Sequence, residues 1–145
     1  MATIALLISI TGLLLQYTSW RNSNARLKVR LSFTYLMYGG AIDHRTRLTV
    51  SVSNHGRGEI QITNIWVQPK GSDSSIVFLR HEAGSAPLPA YLQSHSELTW
   101  YLPLDEIIDQ LCHHGNRAFR VVVGLPGDKK VRSRWQEAKV AKLKN

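Results

Sequence analysis

Cysteine is almost absent from this chain, since Cys112 is the single example among 145 residues. One cysteine excludes an intrachain disulfide, so the fold must be held together by burial of apolar side chains. Hydrophobic residues make up 43% of the sequence and charged residues 19%, which is typical of a globular domain and unlike a disordered chain. Beyond the first twenty residues, the remaining length suits one domain with its own core.

Sequence patterns that carry catalysis or bind metals are also missing. His113 and His114 follow Cys112, but no second Cys-x-x-Cys or His-x₃-His completes a set of ligands. Asp105 and Asp109 share one face of a predicted helix, and such a pair lies more often on the solvent side than in a catalytic site. We therefore predict no enzyme activity, no cofactor, and no catalytic, cofactor-binding or metal-binding residues. A hydrolase whose site is assembled from distant loops is the alternative.

Charged residues are absent from one end of the chain. Residues 1–20 contain no Asp, Glu, Lys, Arg or His. Twenty helical residues span about 30 Å, the thickness of the hydrocarbon core of a bilayer. Tyr17 and Trp20 stand where aromatic rings favour lipid headgroups, and Arg21 and Arg26 follow them. The pattern predicts a transmembrane helix over 1–20, a basic juxtamembrane linker over 21–25, and a membrane interface formed by these four residues.

Basic residues after this segment predict its orientation. Arg21, Arg26, Lys28 and Arg30 occur within residues 21–30, which contain no acidic residue. Lys and Arg favour the cytoplasmic side of a membrane. We expect a single-pass protein with its amino terminus outside and its β-domain in the cytoplasm, and with the lipid bilayer and anionic lipid headgroups as partners.

Alternating apolar residues predict strands through most of the remaining chain. Residues 27–37 and 48–52 have apolar side chains at every second position, which places them on one face of a strand. Residues 104–111 have apolar side chains at positions i, i+3, i+4 and i+7, which is the spacing of one helix face. We predict a mainly β fold: an antiparallel sandwich of about seven strands over 26–135, with one short helix inserted at about 104–114.

Two connections between these strands are also predicted. Residues 54–58 (Asn-His-Gly-Arg-Gly) form a turn sequence between two alternating runs, which predicts a hairpin. The apolar residues of 60–62 and of 65–67 fall on opposite parities. A slip of one residue predicts a β-bulge near 63–64.

Three motifs lie within the predicted β-domain: Leu48-Thr-Val-Ser-Val-Ser-Asn54-His-Gly56, Ile60-x-Ile62-x-x-Ile65-x-Val67, and Leu98-Thr-Trp100-x-Leu102-Pro103-Leu104. Through these motifs the chain resembles small single-pass membrane proteins of bacteria and their phages that carry an immunoglobulin-like domain of uncharacterised function. The resemblance covers residues 26–135 and implies an immunoglobulin-like β-sandwich. It implies no activity, and no functional residue carries over from it.

Basic residues also cluster at the carboxyl end, around a single tryptophan. The members of this cluster are Lys129, Lys130, Arg132, Arg134, Trp135, Lys139, Lys142 and Lys144. Residues 136–145 are predicted to form a solvated basic tail. Such a cluster suits anionic lipid headgroups or nucleic acid, and a tail that only aids solubility is the alternative.

These observations predict a membrane-anchored, non-enzymatic protein-interaction module with an unidentified protein partner. The resemblance implies an accessory or host-interfering role at the cell envelope. Addition of a partner peptide to a sheet edge is one binding mode that a β-domain offers. The alternative function is a membrane-tethered nucleic-acid-binding protein that uses the basic tail.

Overall fold

Ten strands and two helices form the regular structure of the residues that the computed structural model describes, which are 9–18, 24–38, 41–78, 82–113 and 115–138. The helices are α1 (9–18) and α2 (Leu104–His113). The strands are β1 (Leu27–Tyr38), β2 (Ala41–Asn54), β3 (Ile60–Ile62), β4 (Asn64–Pro69), β5 (Ile76–Val77), β6 (Ala90–Leu92), β7 (Glu97–Pro103), β8 (Ala118–Gly124), β9 (Lys130–Arg132) and β10 (Gln136–Glu137). Every strand pair in these ranges is antiparallel.

The first helix does not match the predicted transmembrane span. Helix α1 is described over 9–18, which lies within the predicted span of 1–20. Among the described residues, no helix is both long enough and apolar enough to cross a membrane. The prediction of a transmembrane helix over 1–20 was therefore wrong, and the predicted fold class was wrong in this element.

The single-pass assignment and the localisation with a cytoplasmic β-domain depended on that helix, and they are corrected with it. The prediction relied on the absence of charge, but Ser9, Thr11 and Thr18 make the described helix partly polar. The hydroxyl of Thr18 donates a hydrogen bond to the Leu15 carbonyl over 2.9 Å. Residues 1–8 and 19–23, which complete the predicted span and most of the linker, lie outside the described residues.

The strands form three sheets. Sheet I has the order β1–β2–β7, sheet II has the order β10–β8–β4–β5 with β9 also paired to β8, and sheet III consists of β3 and β6. In sheet I, Val50 of β2 lies opposite Leu31 of β1 and Trp100 of β7. In sheet II, Val67 of β4 lies opposite Val121 of β8.

The inner faces of sheets I and II share one core. Alternation in β2 buries Leu48, Val50 and Val52 completely, as the period of two requires. Helix α2 covers this core with the face that its spacing predicted. The other large side chains of the core with no exposed surface are Ile62, Ile65, Val67, Leu92, Trp100, Leu102, Ile107, Leu111, Phe119, Val121 and Val123.

Strand β1 follows the predicted alternation but buries only half of its apolar face. Leu27, Val29 and Leu31 pack against the core, whereas the next three alternate residues, Phe33, Tyr35 and Met37, are 50%, 59% and 66% exposed. Strand β7 pairs with β2 only over residues 47–53, and the β1 residue opposite the outermost of these, Arg47, is Thr34. Tyr35 and Met37 therefore lie past the end of β7, whereas Phe33, opposite Leu48, is half-exposed at the margin of the core.

The predicted bulge near 63–64 is a change of sheet. The chain leaves sheet III after Ile62 and enters sheet II at Asn64, while the Thr63 amide donates to the Gly124 carbonyl over 2.9 Å. Ile62 and Ile65 are both fully buried although their parities differ, because they belong to different sheets. Residues 54–58 likewise connect sheet I to sheet III, so the hairpin predicted there was wrong.

The side chain of Asn54 joins the segments that meet at this end of the fold. Its Oδ1 accepts hydrogen bonds from the Arg26 amide (3.1 Å) and the Gly56 amide (2.9 Å). Its Nδ2 donates to the carbonyls of Gly58 (2.7 Å) and Gln93 (3.3 Å). Asn54 has no exposed surface, so water cannot replace these partners.

Close approach of two chain segments explains Gly56 in the same place. A Cβ atom on Gly56 would collide with the backbone of Asn24 and Arg26. Residues 24–25, the described part of the predicted linker, and Arg26 are therefore held against the 54–58 loop. The Arg26 carbonyl accepts a hydrogen bond from the His55 amide over 2.8 Å.

We predict that Asn54→Ala lowers the free energy of unfolding by about 3 kcal/mol or more, because it removes a hydrogen-bond partner from the buried Gly56 amide, the Arg26 amide and the Gly58 carbonyl, at about 1–3 kcal/mol each. Asn64→Ala is the matched control, since Asn64 is exposed and its Oδ1 accepts only from the adjacent Ile65 amide. The control should cost less than about 1 kcal/mol. Urea unfolding of both variants measures the difference, and equal losses would contradict the role assigned to Asn54.

Candidate functional site

The predicted membrane-interface residues are only partly within the described chain. Tyr17 lies on α1 with 56% of its surface exposed. Arg26 is exposed, and its backbone is held against the 54–58 loop. Trp20 and Arg21 lie outside the described residues. The structure therefore describes only two of these four residues, Tyr17 and Arg26.

The predicted carboxyl-terminal cluster is divided between a sheet and the undescribed end. Lys130 and Arg132 lie on β9, and the exposed Lys129 stands in the turn before it. Arg134 and Trp135 follow, and both are exposed. Strand pairing continues past residue 135, because Gln136–Glu137 forms β10. The remaining members, Lys139, Lys142 and Lys144, lie outside the described residues.

The outer face of sheet II brings a second tryptophan to this cluster. Trp66, Val122 and Arg132 lie directly opposite one another on β4, β8 and β9, so their side chains share one face. In the adjacent row, Lys130 lies opposite Gly124, and its Nζ is 5.6 Å from the centre of the Trp66 ring. Such a distance is within the range of a cation–π interaction.

Gly124 provides the space that Trp66 occupies. A Cβ atom at position 124 would stand 2.9 Å from a carbon of the Trp66 ring, which is closer than carbon atoms approach. Val122, beside Trp66 on this outward face, is 1% exposed, so the face is partly covered by its own side chains. The Trp66 ring therefore packs closely over the backbone at Gly124, where there is no side chain.

A second cation–aromatic pair lies further along the same face. The Arg120 guanidinium carbon is 4.5 Å from the centre of the Trp135 ring. Arg120 also donates from Nε and Nη2 to Oε1 of Gln68, over 3.0 and 2.8 Å. Two hydrogen bonds and one stacked ring hold this guanidinium in a defined position.

An irregularity between β9 and β10 places Trp135 near Arg120. The amide of Ser133 donates to the Val121 carbonyl over 2.8 Å, and the Ser133 hydroxyl accepts from the Val121 amide over 2.9 Å. We call the resulting surface the tryptophan–cation face, and it consists of Trp66, Arg120, Lys130, Arg132 and Trp135.

Sequence reasoning missed Trp66 and Arg120, because it considered the carboxyl end alone. The available signal was the alternation in β4, where Ile65 and Val67 face the core and Trp66 and Gln68 must face outward. The pairing of β4 with β8 and of β8 with β9 is non-local, and no sequence pattern showed it.

A second exposed surface lies on β1. Phe33, Tyr35 and Met37 occupy alternate positions near its end, and each has half or more of its surface exposed. Strand β1 is an edge of sheet I, and no described strand pairs with its outer side. We call these three residues and the strand edge beside them the apolar β1 edge.

A cavity between α2 and β5 offers no recognisable chemistry. It measures about 530 Å³, and the residues that line it include Glu106, Asp109 and Gln110 of α2 but none of the described histidines or Cys112. Within the described ranges, no group of three or more His, Cys, Asp or Glu residues is placed to hold a metal ion. Cys112 itself is exposed.

The ion pair between Arg47 and Glu82 has a structural role. Arg47 is 6% exposed, and its Nε donates to Oε2 of Glu82. The segment that begins at Glu82 lies along β7, where the Ala86 amide donates to the Thr99 carbonyl over 3.1 Å. The pair therefore fastens this segment to sheet I.

Comparison of the chain with protein-family models, with curated proteins and with solved structures found no match. Functional inference therefore depends on the two exposed surfaces.

We predict that Gly124→Ala destabilises the protein by about 1–3 kcal/mol, because the new methyl group must displace the Trp66 ring. The matched background is Trp66→Leu, in which the ring is absent and the methyl group should cost less. A double-mutant cycle by urea unfolding measures the coupling between the two positions. A coupling energy near zero would contradict the packing of Trp66 on Gly124.

Proposed function

We propose that this chain is a non-enzymatic protein-interaction module that binds an extended segment of a partner protein by strand addition at the apolar β1 edge. The observation that carries the proposal is that no described strand pairs with the outer side of β1, beside three exposed apolar side chains at alternate positions. In strand addition, backbone hydrogen bonds supply affinity and alternate side chains supply selectivity.

Charged residues are present only in the first half of this edge. Lys28 and Arg30 lie in the first half of β1 and are exposed, and inward or edge charges of this kind oppose unwanted strand pairing. Residues 31–38 contain no charged residue and no proline. The uncharged half, 31–38, therefore contains Phe33, Tyr35 and Met37, which supports a binding role for that half.

The register of the β1–β2 hairpin also changes within the uncharged half of β1. Thr34 lies opposite Arg47, but Leu36 lies opposite Asp43, so β2 contains two more residues than β1 between these pairs. A bulge bends a strand and increases its twist, and bulges often occur beside binding sites.

We propose no membrane anchor, because the prediction of a transmembrane helix over 1–20 was wrong. An accessory or host-interfering role remains a hypothesis that the identity of the partner will decide. The expected partner chemistry is an uncharged, apolar strand, since both the edge and its side chains are uncharged over 31–38.

A photo-crosslinking amino acid at position 35 tests the proposal in cells that express the full chain. Tyr91 is the matched control, because it is also an exposed strand tyrosine, at 64% against 59% for Tyr35, but it lies on sheet III. We expect position 35 to crosslink to one defined segment of one protein, and position 91 to give no such product.

The captured segment then serves as a synthetic peptide for calorimetry with the purified chain. We predict that Tyr35→Lys weakens binding at least tenfold, because it places a charge in an apolar interface, and that Tyr91→Lys leaves it unchanged. Crosslinking only to a second copy of the chain, or equal loss in both variants, would contradict the proposal.

A further inference from the structure

We infer that the tryptophan–cation face is a binding site for single-stranded nucleic acid, with bases stacked on its aromatic rings and phosphates bound by its basic side chains. The predicted nucleic-acid interaction was assigned to the basic tail. The structure supplies a different and more specific surface, which lies on another sheet than the apolar β1 edge and is independent of the proposed function.

The charge of the face complements a polyanion. The chain has a formal net charge of +8 and a sequence pI near 10.0. Lys130, Arg132 and Arg120 contribute three positive charges to the face, and the outward residues of β4 in the same rows, Asn64, Trp66 and Gln68, are uncharged. Glu137 lies at the far end of the face, opposite Ala118, and does not interrupt the row of basic side chains.

The aromatic rings favour single strands over other polyanions. Trp135 is 41% exposed, with Arg120 against its ring, so part of the indole is open to a base. Base–aromatic stacking tolerates any sequence, because every base has a flat face. In a duplex these faces are already stacked on neighbouring bases, and lipid headgroups have no such faces to offer.

The geometry of the face is fixed before any ligand binds. Gln68 holds the Arg120 guanidinium through two hydrogen bonds, and Gly124 allows Trp66 to lie against the sheet. Lys130 and Arg132 project from alternate positions of one strand, about 7 Å apart along its axis. Preorganised side chains lose little conformational entropy on binding, which favours affinity.

Fluorescence anisotropy with a labelled oligothymidylate tests the inference on the full chain. The charge variant is Lys130→Gln with Arg132→Gln. The matched control is Lys28→Gln with Arg30→Gln, which removes the same two residue types at the same spacing from the outer face of β1, where Ser53 and Ser51 lie opposite. We expect at least a tenfold loss in the first pair and less than a twofold loss in the control.

Salt dependence and a stacking variant complete the experiment. Removing phosphate contacts should lower the slope of log affinity against log salt by about 0.7 per contact. Trp135→Ala should weaken binding by about tenfold and leave this slope unchanged, because stacking releases no counterions. Tyr91→Ala is its control, and thermal unfolding of each variant verifies that it is folded.

Several results would overturn the inference. Equal losses in the two charge pairs would show that net charge alone attracts the oligonucleotide. Binding to duplex DNA or to anionic phospholipid vesicles as tight as to the single strand would show that the rings take no part. Absence of binding by the unmodified chain at low salt would exclude the site altogether.

Discussion

The buried amide of Asn54 is the interaction on which the arrangement of the sheets depends. It binds the backbone before β1, the loop that leaves sheet I, and the turn that precedes β7. Because Leu27 lies opposite Asn54 in the register, this contact also determines where β1 begins against β2. An unpaired amide in such a site would cost more than most surface interactions contribute, so the segments must meet there.

The two candidate surfaces arise from this arrangement for different physical reasons. The apolar β1 edge exists because β1 continues to the end of β7 and past it: Phe33 lies at the margin of the core, and Tyr35 and Met37 lie beyond the residues of the hairpin that β7 accompanies. The tryptophan–cation face exists because sheet II presents its outward residues on β4, β8 and β9 in aligned rows. The surfaces belong to different sheets and share no residue, so substitutions can alter the side chains of one and leave those of the other in place.

Local patterns in the sequence predicted much of the fold. The spacing of Leu104, Ile107 and Leu111 predicted α2, and alternation in β2 predicted its buried face. Local patterns do not show which strands become neighbours, so the change of sheet at Thr63 and the meeting of Trp66 with Lys130 were missed. The absence of charged residues in 1–20 led to the wrong prediction of a transmembrane helix. The immunoglobulin-like assignment stays a prediction.

Hydrogen exchange in the free and partner-bound chain tests the central claim most directly, because strand addition must protect backbone amides at the edge that it extends. Strand addition predicts that the amides of 31–38 that point away from β2 exchange quickly in the unbound chain and gain protection on binding. Amides of β4, which lies between β8 and β5 in sheet II, should not change. Protection that appears elsewhere while 31–38 stays unaffected would contradict binding at the β1 edge.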